Sequence, residues 1–467
     1  MKTFDLIVIG GGAGAFGAAI RANELHANTA MINAGLPLGG TCVNVGCVPS
    51  KTLLYAGEIL HLARNHGIPG IELEVKKFDF QKVVQDELAL VETLRNEKYG
   101  MVLKSLEHVT HIDGRAKFIS QDEVAVNGET FRAEKFIIAT GSTASVPPID
   151  GIRDVGFVTH VEALKLEKQP KELIVIGAGP LGLEFSQMYS RFGTKVTLLK
   201  RSPSIYPISE NELTERLAQI LAREGITIRR GIEFKKAWVE GGKKTVSYIL
   251  DGKEERALAD EILLASGKTP NTADLGLDKA GVQIDGNQAV IVNEFLQTSN
   301  PDVLAAGDVA GLPMRLEMTA GHEGTLAAEN ALSGSQQSID YTTVPYTIFT
   351  DPQLAGVGLT ETEMTKKYGV CECRTVSFAD VPRAVIMRRT EGLIKMAIHP
   401  ETRQITGVHI LAPHAGELIA GAVMLVKNRN TVDDVVESLP MFPTLAEAIK
   451  LAALSFTKDI SMLSCCV

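Results

Sequence analysis

The sequence predicts an α/β protein of several domains, on three observations. Two strand–glycine turn–helix units stand far apart in the chain, the chain runs to 467 residues, and its final third changes character. At that length one core is too small a unit, and roughly two to four domains are expected. Composition is that of a soluble globular protein, with 45% hydrophobic and 22% charged residues. Lys and Arg number 47 against 56 Asp and Glu, a net charge of -9, so no basic face is offered to nucleic acid. No apolar stretch approaches the length that crosses a bilayer. The opening "MKTFDLIVIGGGAGAFGAAI" sets a lysine before an apolar run, as a secretory signal does, but its glycine spacing belongs to a folded turn. Six cysteines, two of them adjacent, do not form the even framework of a secreted scaffold, and a reducing cytoplasm is the expected setting.

The first unit, "FDLIVIGGGAGAFGAA", reads as a buried strand over 4–9 running into a glycine turn and a helix. Gly10, Gly12 and Ala15 stand at the G-x-G-x-x-G/A positions of a Rossmann-like fold, with Gly14 among them and Ala19 one helical turn further on. Such glycines let backbone approach a pyrophosphate while the helix N-terminus supplies positive dipole. The second strand, "NTAMIN", ends in Asn33, where an acid commonly holds the adenosine ribose. Asparagine can still bond hydroxyls, which suits a weakened FAD contact; a plain turn residue is the alternative.

The second unit, "KELIVIGAGPLGLEFSQ", repeats the pattern with a strand over 173–176 and glycines Gly177, Gly179 and Gly182. Two fingerprints far apart imply two dinucleotide sites, the arrangement of a flavoprotein that takes hydride from a nicotinamide. The partner strand "TKVTLLKR" carries Lys200 and Arg201 where an NAD site would place an acid. Their charge suits a 2′-phosphate and favours NADPH; a solvated turn is the alternative. Further strands follow in "FIIATGS", "DEILLASGKTPN" and "TSNPDVLAAGDVAG", the last setting Asp308 at a glycine turn placed to bind a sugar-like chain. From about Tyr341 the fingerprints stop, and strand-like runs ("GLIKMAIH", "ITGVHIL") alternate with helix-like ones ("AGELIAGAVMLVKNR"). This region reads as an α+β domain for dimerisation.

"GGTCVNVGCVPSK" is the most specific stretch. Cys42 and Cys47 have four residues between them, and Pro49 marks the expected start of a helix. A thiolate at a helix N-terminus has a depressed pKa, so Cys47 should be the more acidic and the pair suits reversible disulfide chemistry. A structural staple or half a zinc site would be the bland reading, but no second Cys/His pair with ligand spacing accompanies it. In "GVCECRTV", Cys371 and Cys373 alternate along an expected strand and read as structural rather than as a metal pair. The chain closes on "SMLSCCV". Neighbouring Cα atoms lie about 3.8 Å apart, below the roughly 4.4 Å minimum of an unstrained disulfide, so Cys465 and Cys466 suit a thiolate pair aimed at a third party, or else an accidental surface pair.

On these residues the chain resembles the flavin-dependent pyridine nucleotide-disulfide oxidoreductases over nearly its whole length. The matching segments are both fingerprints, "CVNVGC", "GRAKF", "ATGS", "AAGDV" and the C-terminal domain. The resemblance implies electron flow from NADPH to FAD to the disulfide, with Cys47 facing the flavin and Cys42 exchanging. It implies that Lys51 pairs with Glu184 near flavin N5, and that Gly40, Thr41, Ala116, Thr140, Gly141, Asp308 and backbone near Leu316 line FAD, with Gly267 also in the cofactor-binding set. It divides the chain into an FAD domain (1–145 and 270–338), an NADPH domain (146–269) and a dimerisation domain (339–467) that ends in the tail.

Disulfide-reducing members carry a His-Pro-Thr…Glu motif whose histidine shuttles protons. Here "MFPTLAEAIK" keeps Pro443, Thr444 and Glu447 but places Phe442 at the histidine position, and no histidine follows His414. Adjacent thiols without a proton shuttle suit soft-metal exchange, because thiolates are the preferred ligands of soft ions. In "NEKYG" with Tyr99, "VPRA", "APHAGELI" and "KLAALSFTKDISMLSCC" the chain is most similar to the mercuric reductase family. That similarity implies a homodimer with shared active sites. Cys465 and Cys466 of one subunit would collect Hg(II) from small-thiol complexes and deliver it to Cys42 and Cys47 of the other, where reduced flavin converts it to Hg(0). Family members often have tyrosine at the position of Phe442 and many carry an N-terminal metal-binding domain; this sequence begins at the FAD strand. Two readings stay open beside it: a thioredoxin-reductase-like disulfide reductase using the tail pair as electron relay, and a flavoprotein that only sequesters metal.

Overall fold

The structure is a computed structural model that describes residues 2–464; Cys465 and Cys466 lie outside the described residues. Its first sheet gathers strands β1 (Lys2–Ile9), β2 (Thr29–Asn33), β3 (Val109–Asp113), β4 (Lys117–Phe118), β5 (Glu123–Val126) and β6 (Glu129–Ile138) in the order β3-β2-β1-β6-β5-β4. β1 is parallel to β2 and β6, and Leu6, Ile7 and Val8 are wholly buried, as a continuous apolar run must be when both sheet faces are covered. The strand begins two residues earlier than the apolar run predicts, because Lys2 and Thr3 pair with Phe131 and Arg132 despite their polarity. Helix α1 (Ala13–Glu24) follows the glycine turn. Helices α2 (Gly40–Val45), α3 (Cys47–Asn65) and α4 (Phe80–Arg95) come after β2.

The second sheet contains β7 (Glu172–Ile176), β8 (Lys195–Lys200), β9 (Thr227–Arg230) and β10 (Glu261–Leu264), all parallel in the order β9-β8-β7-β10. Helix α5 (Pro180–Phe192) links β7 to β8, and the antiparallel strands Glu233–Glu240, Lys243–Leu250 and Lys253–Ala259 form a small sheet of their own. One hydrophobic cluster runs through Leu53 and Leu60 of α3, Phe80 and Val84 of α4, and Leu183 and Tyr189 of α5. The two Rossmann-like units are therefore packed together through the helix that carries Cys47.

Strand β11 (Val303–Ala305) returns to pair with β6, and helix α6 (Glu317–Ser333) packs on α1. That contact needs small residues: a Cβ on Gly17 would lie 2.1 Å from the Gly321 carbonyl oxygen, and one on Gly324 only 1.9 Å from that of Gly14. The last sheet, antiparallel throughout, comprises β12 (Tyr346–Ile348), β13 (Gln353–Gly358), β14 (Glu372–Ser377), β15 (Leu393–Ile398) and β16 (Ile405–Ala412), ordered β12-β13-β16-β15-β14. Helices α7 (Ala415–Lys427) and α8 (Glu447–Leu454) cover it. Among the described residues no helix is long and apolar enough to cross a membrane.

Two details correct the sequence reading. The helix expected at Pro49 starts at Cys47, with Pro49 as its third residue; proline is tolerated there because N–H groups of the first turn have no intrahelical acceptor to lose. Cys371 precedes rather than enters β14, and it is joined to Cys373 by a disulfide with Cα atoms 5.6 Å apart.

Candidate redox and metal-exchange site

The redox stretch is folded against the first glycine turn. Gly39 donates its N–H to the Gly11 carbonyl at 2.7 Å, and both Gly39 and Gly40 have left-handed backbones, φ 91° and 59°. A Cβ on Gly40 would lie 2.6 Å from the Gly12 Cα, so only glycine allows this approach. Cys42 then falls within α2 and Cys47 on the first residue of α3, with Gly46 between the helices and Ser50 Oγ donating to the Gly46 carbonyl at 2.6 Å. Both thiols are free; Cys42 is half-buried and Cys47 exposed.

Their environments drive the two thiols apart. The Cys42 thiol is pushed up, first by its hydrogen bond to Cys47 and then by burial and by Glu317. The Cys47 thiol is pulled down by that same hydrogen bond, and the Lys51 charge helps against the opposing effects of burial and Glu317. Both influences favour the proton on Cys42 and the negative charge on Cys47. Lys51 Nζ lies 2.8 Å from Glu184 Oε2 and 4.6 Å from the centroid of the Phe349 ring. Buried Glu184 accepts, through its other oxygen, the Phe349 N–H at 2.9 Å.

Glu317, the first residue of α6, was absent from the candidate residues. Its Oε2 accepts from the Cys42 thiol and lies 3.6 Å from Cys47 Sγ, while its Oε1 accepts from Tyr99 Oη at 3.3 Å. Tyr99 sits on a π-helical turn (Asn96–Gly100) continuing α4, its ring edge-on to Phe16 with centroids 4.9 Å apart. Burial, with Glu317 next, pushes the Tyr99 phenol up, so it stays protonated and donates. The only sequence signal for Glu317 is an acid directly after Leu316, in "RLEMTAG".

The other candidates fall into two cradles. At the C-terminal edge of the first sheet, Gly10 has φ 146° and would place a Cβ 2.2 Å from the Ala139 carbonyl oxygen. Gly14 lies against Ala306 and Ala139, next to Thr140, Gly141 and the turn bearing Asp308. Asp308 accepts from Ser142 Oγ at 2.6 Å, Thr140 Oγ1 donates to the Asn271 carbonyl at 2.8 Å, and Gly307 N–H is held by Glu323 at 2.7 Å. Asn33 lies beside Gly11 and donates to the Leu36 carbonyl at 3.1 Å. Ala15 is buried in α1, and Ala116 is buried in the core cluster that also holds Phe118 and Ile138. Leu316 N-caps α6, and Gly40 and Thr41 are the first two residues of α2, directly before Cys42.

At the second sheet, a Cβ on Gly177 would meet the Ala265 carbonyl oxygen at 2.2 Å, and one on Gly182 the Gly177 carbonyl oxygen at 1.9 Å. Lys200 ends β8, its pKa lowered by burial and by the charge of Arg201, and Gly267 has φ 118° on the facing loop. Gly12 and Gly179 N-cap α1 and α5 without any side-chain acceptor, which leaves first-turn N–H groups for phosphate oxygens. Both cradles fit a dinucleotide.

Residues 4–325 match the family described as pyridine nucleotide-disulphide oxidoreductase, and residues 344–453 match its dimerisation domain. A mercuric reductase of Lysinibacillus sphaericus is 40% identical over 463 residues, covering 99% of this chain and 84% of that protein. A mercuric reductase of Staphylococcus aureus is 39% identical over 464 residues, with coverage of 99% and 84%. Among solved structures, the HOCl-induced flavoprotein disulfide reductase RclA from Escherichia coli matches with a TM-score of 0.86 at 26% identity, over 97% of this chain and 100% of that one.

Proposed function

The chain belongs to the pyridine nucleotide-disulphide oxidoreductase family, alongside mercuric reductases, and from that premise we propose that it reduces Hg(II) to Hg(0) with NADPH and FAD. The family uses a flavin and a pyridine nucleotide and has a dimerisation domain. The observation that carries the reading is a free dithiol, the Cys47 thiol pulled down by its neighbour, with Phe442 at the position where the resemblance puts a proton-shuttling histidine.

Hg(II) arrives as a small-thiol complex, collected by Cys465 and Cys466 of one subunit of a cytoplasmic homodimer and passed to the pair of the other. The Cys47 thiolate attacks first, and one carrier thiolate leaves. Cys42 then attacks; its proton departs with the second carrier thiol, and the ion is left between two sulfurs. Bound FAD would supply the electron pair drawn from NADPH, and Hg(0) leaves two thiolates behind. Cys42 then takes a proton back. Lys51, fixed by Glu184, places its positive charge beside Cys47 throughout. Lys200 and Arg201 would bind the 2′-phosphate of NADPH, Asp308 the sugar-like chain of FAD. The same reading divides the chain into FAD (1–145 and 270–338), NADPH (146–269) and dimerisation (339–467) domains. Exposed Leu439, Met441 and Phe442 offer an apolar strip suited to a subunit contact.

The test is NADPH oxidation by the flavin-loaded protein with Hg(II) and excess small thiol, with mercury vapour trapped. The reading requires stoichiometric Hg(0) that is lost in Cys42→Ala/Cys47→Ala and, with little competing thiol, in Cys465→Ala/Cys466→Ala. The second reading, disulfide reduction with the tail pair as electron relay, is favoured by the likeness to RclA. NADPH consumption only when a disulfide is offered would establish it instead.

A further inference from the structure

Mercury exchange needs two thiolates, yet the pair has a third donor beside it. One ligand atom each from Cys42, Cys47 and Glu317 lie within 4.8 Å of one another. Every polar contact found on the Glu317 carboxylate among the described residues belongs to this site: Cys42 and Tyr99 donate to it, and Cys47 Sγ lies 3.6 Å from Oε2. Among the described residues no lysine, arginine or histidine pairs with it; the nearby Lys51 is engaged by Glu184. The Tyr99 hydroxyl holds Oε1, which turns Oε2 toward the sulfurs.

We propose that Cys42, Cys47 and Glu317 form a three-donor S2O site that captures thiophilic divalent ions requiring more than two ligands, Cd(II) being the representative, and that Glu317 determines this breadth of metal choice. The proposal rests on the mercury reading for its biological setting, but the binding it asserts does not depend on turnover. The donor separations suit it. Tetrahedral zinc, with metal–sulfur bonds of about 2.3 Å and metal–oxygen bonds of about 2.0–2.2 Å, holds its donors roughly 3.5–4 Å apart, and the larger Cd(II) holds them somewhat further. Cys47 Sγ and Glu317 Oε2, 3.6 Å apart, are already near that spacing, the hydrogen-bonded Cys42–Glu317 contact opens when the thiol proton leaves, and no pair of donors stands more than 4.8 Å apart. A carboxylate oxygen is a hard donor, which adds little to an ion satisfied by two sulfurs in line and much to one seeking three or four ligands. Binding releases the Cys42 proton to solvent and involves no electron transfer. Cd(II) has no lower oxidation state within reach of a nicotinamide, so it would remain bound and compete with Hg(II).

The experiment titrates Cd(II) into the NADPH-reduced, flavin-loaded protein without oxygen, in a Cys465→Ala/Cys466→Ala background. The thiolate-to-cadmium charge-transfer absorbance is followed, and the signal of the same protein with Cys42→Ala/Cys47→Ala is subtracted. One Cd(II) per subunit is expected, with affinity at least tenfold lower in Glu317→Gln, while Hg(II) affinity changes less than threefold. Equal Cd(II) affinity in Glu317→Gln, or an equal loss for both ions, overturns the proposal. If Glu317→Gln fails to retain flavin, Glu317→Asp decides. A carboxylate on a shorter stem must weaken Cd(II) more than Hg(II), and parallel changes refute the third ligand. Absence of mercury turnover in the protein with Cys465 and Cys466 intact, with Cd(II) binding at Cys42 and Cys47 retained, would refute the mercury reading and leave this site standing.

Discussion

Glu87 is the clearest electrostatic liability of the molecule. It lies on the inner face of α4 at 1% exposure, and neither carboxylate oxygen has a hydrogen-bond partner. Burial alone lifts its pKa from 4.5 to about 7. Around it the cavity is lined by Leu36, Val45, Val91 and Leu164, with Glu92, Arg95 and Lys165 the charged groups at its walls. The folded pKa stands above the unfolded one, so the stability contribution is fully present below about pH 4.5 and lost as pH rises through 7. At about 1.36 kcal/mol per pH unit, the rise from 4.5 to about 7 is worth about 3 kcal/mol of stability forgone in alkaline solution. Glu87→Gln keeps the shape and removes the charge. Thermal unfolding of the flavin-loaded protein should show the variant more stable by roughly 3–6 °C at pH 8.5 and equal to the parent at pH 5. The same increment at both pH values would show that the carboxylate is solvated and refute the reasoning.

Three other variants probe the site. Glu184→Gln removes the charge that fixes Lys51, and a fall of about tenfold or more in the rate of flavin reduction by NADPH is expected in stopped flow, with flavin content unchanged. Lys200→Ala/Arg201→Ala should raise KM for NADPH by about tenfold to a hundredfold and leave KM for NADH nearly unchanged; equal losses for both would remove the 2′-phosphate assignment. Phe442→Tyr supplies the hydroxyl that the family resemblance places there, and Hg(II) turnover at low thiol should rise about twofold to tenfold if that hydroxyl assists transfer.

What was legible in the sequence is local and periodic. The two glycine fingerprints declare themselves because the turn needs φ above zero or a bare Cα at fixed offsets, as at Gly10 and Gly182. Cys42 and Cys47 are readable as a pair because five positions of chain separate them. Glu317 was not readable: 275 positions separate it from Cys42 and 218 from Tyr99, and only the packing of α6 on α1 brings it to the sulfurs. Nor does local sequence announce the π-helical turn that presents Tyr99, since Asn96–Gly100 looks like the end of an ordinary helix. Helix onset at Cys47 is not announced either, because proline is favoured at the first helical position and here stands at the third.

The same limit explains a polar stripe that joins the second Rossmann-like unit to the C-terminal sheet and to α3. Glu184, Gln187 and Arg191 recur at helical spacing along α5, and all are buried. Read alone they suggest a solvated face. In the fold they meet the segment 349–351: Glu184 accepts from the Phe349 N–H, Gln187 exchanges hydrogen bonds with the Asp351 backbone at 2.7 and 2.8 Å, and Arg191 pairs with Asp351 and Glu224. Arg389 joins from the loop before β15, pairing with Asp351 and with Glu58 of α3. One face of α5 thus fastens the C-terminal sheet to the helix that carries Cys47, and Lys51 hangs from the first residue of that stripe. Breaking a buried pair by deleting one partner costs about 3–5 kcal/mol, so Arg191→Met should loosen this junction. A residue that never touches the sulfurs then governs them through Glu184, and the measurable consequence is a slower flavin reduction in Arg191→Met that tracks the defect of Glu184→Gln. Full-rate reduction in a destabilised Arg191→Met would show that the stripe holds the domains together without positioning the charge beside Cys47.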